Sequence, residues 1–479
     1  MRIDTIDGVI VLVYMLAAML YGIWLGRGQN SSEGYFLGGR SIPWGAVLLS
    51  IVATETSTVT FLSIPGIAAA VHGDMTFLQI TFGYIVGRFV IIFVLLPLYF
   101  QRDTFTAYEI LERRFGKLSR RAASVLFLFT RNISDALRLF LTALVLQIVL
   151  GLDFTLCVIA LGIVTIIYTF AGGAKSVIWN DCIQFGIYMF GALAAAYVIL
   201  DLIPGGLSEY LELAKASDKL QIFDFSLDLF SPSMTFWAGL IGGAFLTTAT
   251  HGTDQLMVQR YLSAKNRKDA AKALGLSGFI VCFQFALFLL IGIGLANLSG
   301  IGVAGEAVKG DQLLAYFIVD YLPIGLVGIT LAAVFAAAMS TLSSSLNASA
   351  TVWVKDIYKP LYSESDDSRQ LKVGRIATLF FGVLQIVIAL VVAGVGFDES
   401  TVSLVLKISG FAAGPVLGLY FLAVYVPKAS QKTVLTGFFI GVVCISYAAL
   451  ATPLYWPWYA VFGSIVTFFT AWVISRINA

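Results

Sequence analysis

Apolar segments of about 20 residues recur along almost the whole chain, separated by short polar stretches, and each is long enough to cross a bilayer as a helix. The strands of a transmembrane β-barrel would instead be shorter segments of alternating polarity. The pattern therefore predicts an all-α polytopic membrane protein with about 13 transmembrane helices. Their predicted centres are residues 16, 57, 88, 135, 162, 188, 244, 286, 333, 384, 414, 441 and 465.

Two of these apolar segments are interrupted by polar residues near their middle. The second contains SIVATETSTVTF at 50–61, and the seventh contains TTATHGTDQ at 247–255. Hydroxyl side chains compete for backbone hydrogen bonds and β-branched residues crowd the helical turn, so we predict broken helices at 44–70 and 235–256. Interrupted helices at matching positions of two five-helix halves are typical of inverted-repeat transporters, in which the unwound backbone holds ions and solutes.

The whole chain, residues 1–479, is predicted to be one transmembrane transporter domain, because no linker divides it and no loop is long enough to form a catalytic domain. The longest loop, about 203–233, contains LSEYLELAKA and predicts at most a short surface helix. The predicted parts are a peripheral first helix at 6–26, inverted repeats at about 42–202 and 233–427, and two C-terminal helices within 431–476.

A third hydroxyl-rich stretch, VFAAAMSTLSSSLNAS at 334–349, lies inside an apolar segment. Ala337, Ser340, Thr341 and Ser344 follow the spacing i, i+3, i+4, i+7, so they share one helical face. Hydroxyl oxygens on that face, opposite carbonyls freed near 53–56, predict a neutral oxygen cage of the kind that suits Na⁺. The alternative is that these hydroxyls bond their own helix or only pack closely.

Composition excludes several classes of protein. The chain is 59% hydrophobic and 12% charged, whereas a soluble domain carries about 25% charged residues. Its four cysteines have no paired spacing and its two histidines lie far apart, which argues against a metal cluster, a disulfide framework or an enzyme site. The sequence also lacks a GxxxxGK[ST] loop, so we expect no direct coupling to ATP.

Basic residues are distributed unequally between the two sets of predicted loops. One set carries 22 lysines and arginines and the other carries 4, and the remaining 4 lie within predicted spans, which accounts for all 30. Cytoplasmic loops carry the excess of positive charge, so the chain is predicted to lie in the cell (inner) membrane with its N-terminus outside and its C-terminus in the cytoplasm.

Several ionisable residues lie at predicted membrane depth, where charge is costly and usually marks a transport pathway. They are Glu55, Arg88, Arg131, Arg138, Asp181, Asp254 and Lys407. Arg138, within the fourth predicted span, has the geometry to bind a carboxylate through two nitrogens. The alternatives are that Arg138 pairs with Asp135 or Glu55, or that it reaches towards the membrane surface.

Five stretches of the chain resemble the solute:sodium symporter family, which has a LeuT-like fold of 5+5 inverted repeats. The resemblance covers nearly the whole chain, and its most specific part is the hydroxyl-rich helix. The stretches are YFLGGRSIPW (35–44), TAYEILERRFG (106–116), AGGAKSVIWNDCIQ (171–184), VQRYLSAKN (258–266) and AAAMSTLSSSLNASATVWVKDIYK (336–359).

The resemblance implies positions for two sodium sites. The first is implied to use backbone carbonyls of the first broken helix together with a carbonyl and two hydroxyls of a later helix, at Ala53, Thr56, Ala337, Ser340 and Thr341. The second is implied at Asp181, Ser340, Ser343 and Ser344. The alternative for Asp181 is a helix N-terminal cap.

Solute-lining positions are also implied by the resemblance, between the broken helices and the third and eleventh spans. Sugar carriers of the family show a different polar set, with an acid where this chain has Gln79. The implied positions are Thr54, Glu55, Ser57, Thr60, Gln79, Phe82, Thr247, Thr250 and His251, to which Arg138 is added from its own chemistry.

Together these features predict a sodium-coupled secondary symporter that imports a small polar organic solute, one bearing a carboxylate, by alternating access. It needs no cofactor beyond Na⁺ as coupling ion, and its expected partners are the solute, Na⁺ and the bilayer, with no nucleic acid. The alternatives are a sodium/sugar symporter, a proton-coupled carrier using Glu55, Asp181 or Asp254, and a sensor or channel of the same fold. We expect no sensor, because the chain ends at Ala479 just after the last span.

Overall fold

A computed structural model of the chain describes residues 4–27, 31–101, 104–230, 233–298, 310–362, 364–395, 401–426 and 428–477. Within these ranges the chain is organised as helices joined by short turns. In chain order the α-helices are α1 (Thr5–Leu25), α2 (Ser32–Leu37), α3 (Trp44–Glu55), α4 (Thr58–Ala69), α5 (Gln79–Val90), α6 (Leu96–Tyr99), α7 (Glu109–Phe115), α8 (Lys117–Leu150), α9 (Phe154–Leu202), α10 (Gly206–Ala216), α11 (Gly243–Gly252), α12 (Gln255–Ser263), α13 (Arg267–Asn297), α14 (Gly310–Tyr321), α15 (Leu326–Val352), α16 (Lys359–Leu361), α17 (Asp367–Val395), α18 (Thr401–Tyr425), α19 (Gln431–Ala451) and α20 (Trp458–Ile477).

Ten helical stretches of the described chain are long and apolar enough to cross a membrane, or eleven if a bent pair is counted as one span. The predicted all-α membrane fold is thereby confirmed, while the number thirteen stays a prediction. One reason for the lower number is α9, in which two predicted spans form one helix of 49 residues. At 1.5 Å per residue α9 is roughly 74 Å long, enough for two crossings of the ~30 Å hydrocarbon core. A kink at Gly173 (φ 58°, ψ −165°) divides it.

The first predicted broken helix is present. α3 ends at Glu55, α4 begins at Thr58, and their axes differ in direction by 57°. Between them, Thr56 (ψ 80°) and Ser57 (ψ 174°) have non-helical backbone. This break lies inside the hydroxyl-rich stretch that predicted it, because the side chains that weaken the helix are those of the break itself.

The second break lies at Thr253 and Asp254, between α11 and α12. Asp254 caps α12, since its carboxylate accepts a hydrogen bond from the Leu256 N–H at 2.8 Å. The polar stretch at 258–273 forms the end of α12 and the start of α13. Within it Gln259 and Arg260 are buried.

α15, which carries the third hydroxyl cluster, is buried along almost its whole length. It packs against α9, α3 and α8, so its serine and threonine side chains face protein and not lipid. α1 lies at the periphery and exposes apolar side chains such as Leu12 and Leu20. Asp7 of α1 accepts hydrogen bonds from the N–H groups of Gly325 and Gly328 at 2.7 and 2.8 Å, which caps the start of α15.

The division into two inverted repeats stays a prediction, and its second boundary at 427 lies outside the described residues. Parts of the predicted outer loops, at 299–309 and 396–400, and both chain ends lie outside them as well.

The loop between α9 and the second broken helix contains a short helix, α10, and then a buried lysine. The Lys219 ammonium donates hydrogen bonds to the carbonyls of Ala68, Ala70 and Gly73 at 3.0, 2.7 and 3.0 Å. These carbonyls lie at and just after the end of α4, where a helix leaves carbonyls without intrahelical partners. Lys219 therefore fastens this loop to the end of the first broken span.

Replacing Lys219 by methionine should destabilise the protein by about 1–3 kcal/mol, because buried carbonyls lose a charged donor. Thermal unfolding of the purified protein measures this. The matched control is Lys215→Met, since Lys215 is exposed on α10 and its side chain bonds to no described residue. Equal stability of the two variants would contradict a fastening role for Lys219.

Candidate ion and solute sites

The end of α3 meets the middle of α15 through a cluster of buried oxygens. The Ser340 hydroxyl donates to the Ala53 carbonyl at 2.9 Å and to the Ala337 carbonyl at 3.1 Å. The Thr341 hydroxyl donates to the Thr54 carbonyl at 3.0 Å and reaches the Ala337 carbonyl at 3.5 Å. Three carbonyl and two hydroxyl oxygens thus converge beside the first break. Neutral oxygens in this number suit a hard monovalent cation.

The side chain of Thr56 points towards α13, because its hydroxyl donates to the Gln284 side-chain oxygen at 3.0 Å. Its backbone carbonyl, which was implied as a sodium ligand, lies in the non-helical turn after α3, and this role stays a prediction. The Thr54 carbonyl, which accepts from the Thr341 hydroxyl, is a further oxygen of the cluster that the sequence did not indicate.

Asp181 lies close to this cluster and is fully buried in α9. Its Oδ2 atom accepts hydrogen bonds from the Ser50 and Thr54 hydroxyls, the latter at 3.3 Å, and from the Arg260 guanidinium at 3.2 Å. Its Oδ1 atom is buried and has no hydrogen-bond partner among the described residues. Asp181 is thus a paired charge between helices and not the N-terminal cap of one.

The implied serines of the second sodium site lie on the α15 face near Asp181. Ser344 contacts the Thr54 hydroxyl at 3.4 Å and accepts a hydrogen bond from Arg260. The Ser343 hydroxyl donates to the Ser340 carbonyl at 3.4 Å. Ser344 thus shares two partners with Asp181, the Thr54 hydroxyl and the Arg260 guanidinium.

Arg260 is a residue of this cluster that the sequence pattern did not indicate. Its side chain is buried in α12 and donates to Ser50 at 2.9 Å through Nε. Its Nη2 atom contacts Thr54, Asp181 and Ser344. The sequence signal that could have indicated Arg260 is its position in VQRYLSAKN, a stretch that carries the family resemblance and follows the second break. A protein cation therefore already compensates Asp181.

A cavity of about 140 Å³ lies between the two broken spans, α8 and α18. Besides the predicted positions it is lined by Arg131, Asp254 and Ser409. Ser57 is buried at the start of α4 and is not among the lining residues. The predicted positions that line it are Thr54, Glu55, Thr60, Arg138, Thr247, Thr250 and His251.

Gln79 and Phe82 lie away from the cavity, against the loop between α10 and the second broken span. The Gln79 amide donates to the Met234 carbonyl at 2.9 Å and its oxygen accepts from the Asp224 N–H at 3.1 Å. Phe82 stacks on Phe223, with ring centroids 5.9 Å apart and planes at 13°. The structure does not bring these two residues to the solute-lining positions implied for them, because the loop covers this part of α5.

Two arginines on α8 share one carboxylate at the cavity. Asp135 is bound by both Nε and Nη2 of Arg131, and its Oδ1 also accepts from Arg138 Nη1 at 2.6 Å. Arg138 Nη1 contacts the Ser134 hydroxyl at 3.0 Å too. The Nε atom of Arg138 is buried and has no partner among the described residues. Two guanidinium groups against one carboxylate leave a net positive charge within this group of three residues, and Asp254 also lines the cavity.

Comparison with known proteins identifies the family to which this architecture belongs. A model of the "Sodium:solute symporter family" matches residues 35–441. The chain belongs to this family. It is similar to the sodium/sialic acid symporter NanT of Aliivibrio fischeri, with 29% identity over 96% of this chain and 91% of NanT. It is also similar to sodium-coupled monocarboxylate transporter 1 of Homo sapiens, with 30% identity over 93% of this chain and 73% of the relative.

A solved structure supports the same family assignment. The chain matches a substrate-bound, outward-open Na⁺-coupled sialic acid symporter, for which a novel Na⁺ site is described, with a TM-score of 0.90 and 27% identity. The match covers 99% of this chain and 98% of that one. As a member of the sodium:solute symporter family, the protein is a multi-pass membrane transporter that binds Na⁺ and a small solute, and not an enzyme.

Glu55 faces the cavity of this symporter already paired. Its carboxylate contacts the Arg88 guanidinium and lies 3.3 Å from His251 Nε2. Arg88 is fully buried, so it pairs within the protein and does not extend to the membrane surface. Because the Arg88 guanidinium neutralises the Glu55 carboxylate, the negative charge that Glu55 presents to the cavity is small.

Proposed function

We propose that this symporter imports a small organic solute bearing a carboxylate, in the inner membrane, with its N-terminus outside and its C-terminus in the cytoplasm. The observation that carries the proposal is Arg138, which lines the cavity with an unpartnered buried nitrogen while Asp135 is already satisfied by Arg131. A guanidinium in this condition favours a second carboxylate. Relatives named for sialic acid and for monocarboxylates transport acids, which agrees with this chemistry.

The first sodium ion is proposed to bind where α3 meets α15. Its ligands would be the carbonyls of Ala53, Thr56 and Ala337 and the hydroxyls of Ser340 and Thr341. The Thr54 carbonyl, which accepts from the Thr341 hydroxyl, lies beside them. The two hydroxyl protons now point at carbonyls. They would turn away when the ion binds, because a hydroxyl coordinates a cation through its lone pairs.

The coupling of ion and solute follows from shared elements. Thr54 and Glu55, which line the cavity, are the last residues of the helix that also provides the sodium ligands. Sodium binding would hold the end of α3 in place and so complete the solute site. Each ligand then strengthens the binding of the other by the same factor, and the sodium gradient drives import.

A second sodium ion is proposed at the free Oδ1 atom of Asp181, with Ser340, Ser343 and Ser344. This ion would lie beside the Arg260 guanidinium, and the repulsion between the two cations makes this site the weaker one. Asp181→Asn should therefore lower the number of sodium ions moved per solute from two to one. Reversal potentials of proteoliposomes measure this ratio, and Ser349→Ala on the same helix is the control. A ratio that Asp181→Asn leaves unchanged would show that Asp181 serves only Arg260.

Thermal stabilisation of the purified protein tests the function itself. The panel contains sialic acid, short monocarboxylates, neutral sugars and amino acids, each in sodium and again in potassium. We expect an acid to stabilise the protein in sodium and much less in potassium. A neutral sugar with the same sodium dependence would identify a sodium/sugar symporter. Stabilisation that is equal in both salts would support proton coupling and contradict the sodium sites.

A further inference from the structure

A groove on the outer surface of the helical bundle runs between α8 and α19. Its volume is about 550 Å³. On α8 the lining residues are spaced so that they share one face of the helix. The groove is lined by Leu118, Arg121, Ala122, Val125, Leu126 and Phe129 of α8 and by Leu435, Phe438, Phe439 and Val442 of α19.

The apolar walls of the groove are not covered by the chain. Val125 is 56% exposed, Phe129 67% and Phe439 57%. α8 and α19 are both candidate membrane spans, so these side chains face the bilayer. A concave apolar surface in this position can hold an acyl chain.

Arg121 is the one charged side chain among the described residues that line the groove. It makes no hydrogen bond or ion pair with a described residue. Its neighbour Arg120 differs, since it donates to Asp356 at 2.8 Å and to Glu112 at 2.6 Å. Arg121 therefore offers a free guanidinium beside an apolar surface.

The N-termini of both helices lie at the same end of the groove. α8 begins at Lys117 and α19 at Gln431, and the two starts lie together, because a Cβ placed on Gly116 would be 2.5 Å from Gln431 Nε2. That amide nitrogen is buried without a hydrogen-bond partner among the described residues. α8 also begins without a side-chain cap. Helix N-termini carry partial positive charge, which adds to the charge of Arg121.

We propose that this groove binds an anionic phospholipid, with the phosphate at Arg121 and an acyl chain between α8 and α19. A guanidinium can bind a phosphate through two parallel hydrogen bonds. Basic pockets between transmembrane helices recognise anionic headgroups in the same way. The bound lipid would join α19 to α8, the helix that carries Arg138. The proposal is independent of the ion and solute sites, because the groove shares only the apolar Leu126 with the solute cavity and none of the predicted ligand residues lines it.

The test uses the full-length protein in detergent, with added phosphatidylglycerol or phosphatidylcholine of identical acyl chains. We expect phosphatidylglycerol to raise the melting temperature at a lower concentration than phosphatidylcholine does. Arg121→Gln should raise the required concentration of phosphatidylglycerol about fivefold. The matched control is Arg267→Gln, an exposed arginine at the start of α13 that bonds to no described residue. It should behave like the parent protein.

A second variant tests the apolar part of the groove. Val125→Trp should fill the groove and reduce the lipid that stays bound in native mass spectrometry. Equal stabilisation of the parent protein by the two lipids would overturn the proposal, as would an Arg121→Gln variant that responds like the parent. A dimer that Val125→Trp dissociates would also overturn it, because a second copy of the chain would then occupy the groove.

Discussion

Arg138→Gln is expected to weaken binding of an acidic solute by about 30-fold or more, since losing one partner of a buried charged pair costs about 2–5 kcal/mol. Sodium binding in the absence of solute should change much less, because the Arg138 side chain bonds to Ser134 and Asp135 and, among the described residues, makes no hydrogen bond to Ser340 or Thr341. The variant should still fold. Asp135 keeps both of its bonds to Arg131, so no carboxylate is left buried without a partner.

Solute affinity measured by calorimetry or by uptake at saturating sodium checks this expectation. Arg138→Lys is the matched variant, because it retains the charge but not the planar pair of donors. It should fall between the parent and Arg138→Gln. Unchanged solute affinity in Arg138→Gln would remove the carboxylate argument, and Arg138 would then be only a second partner of Asp135.

Loss of either hydroxyl at the first sodium site should weaken sodium about tenfold or more, because a contact with a charged group is worth about 1.5–3 kcal/mol. The variants are Ser340→Ala and Thr341→Val, and the second preserves the shape of the side chain. The interaction of these hydroxyl oxygens with a sodium ion is stronger than the hydrogen bonds that the same hydroxyls now make to carbonyls. The double variant should abolish sodium-dependent uptake.

The sodium concentration for half-maximal uptake is the measured quantity. Ser349→Ala is the control, because Ser349 is buried on the same helix but its hydroxyl has no partner among the described residues. If both single variants retain the parent sodium dependence, the oxygen cluster is a helix-packing contact and the ion binds elsewhere.

The breaks in the two spans were predictable because their causes are local. At 50–61 and 247–255 the serine and threonine side chains compete for the backbone bonds of their own turns, and the breaks at Thr56–Ser57 and Thr253–Asp254 lie within these stretches. The shared face of Ser340, Thr341 and Ser344 was predictable for a similar reason, since helical periodicity alone places them together.

The pairing of charges was not predictable, since it depends on which segments meet. Arg260 lies in a basic stretch of the sequence, and only the packing of α12 against α3 and α15 brings it to Asp181. Gln79 and Phe82 were expected at the solute cavity. They contact Asp224 and Phe223 instead, because the loop after α10 folds back onto α5.

The sequence by itself determined the membrane fold, the two broken helices and the oxygen-rich face of α15, because these follow from hydropathy, backbone competition and helical periodicity along the chain. Only the tertiary structure decided which carbonyls that face meets, that Arg260 compensates Asp181, and that Arg138 retains a free nitrogen at the cavity. Such contacts join residues far apart in sequence, and the free energy of a buried charge depends on the partners that packing brings to it.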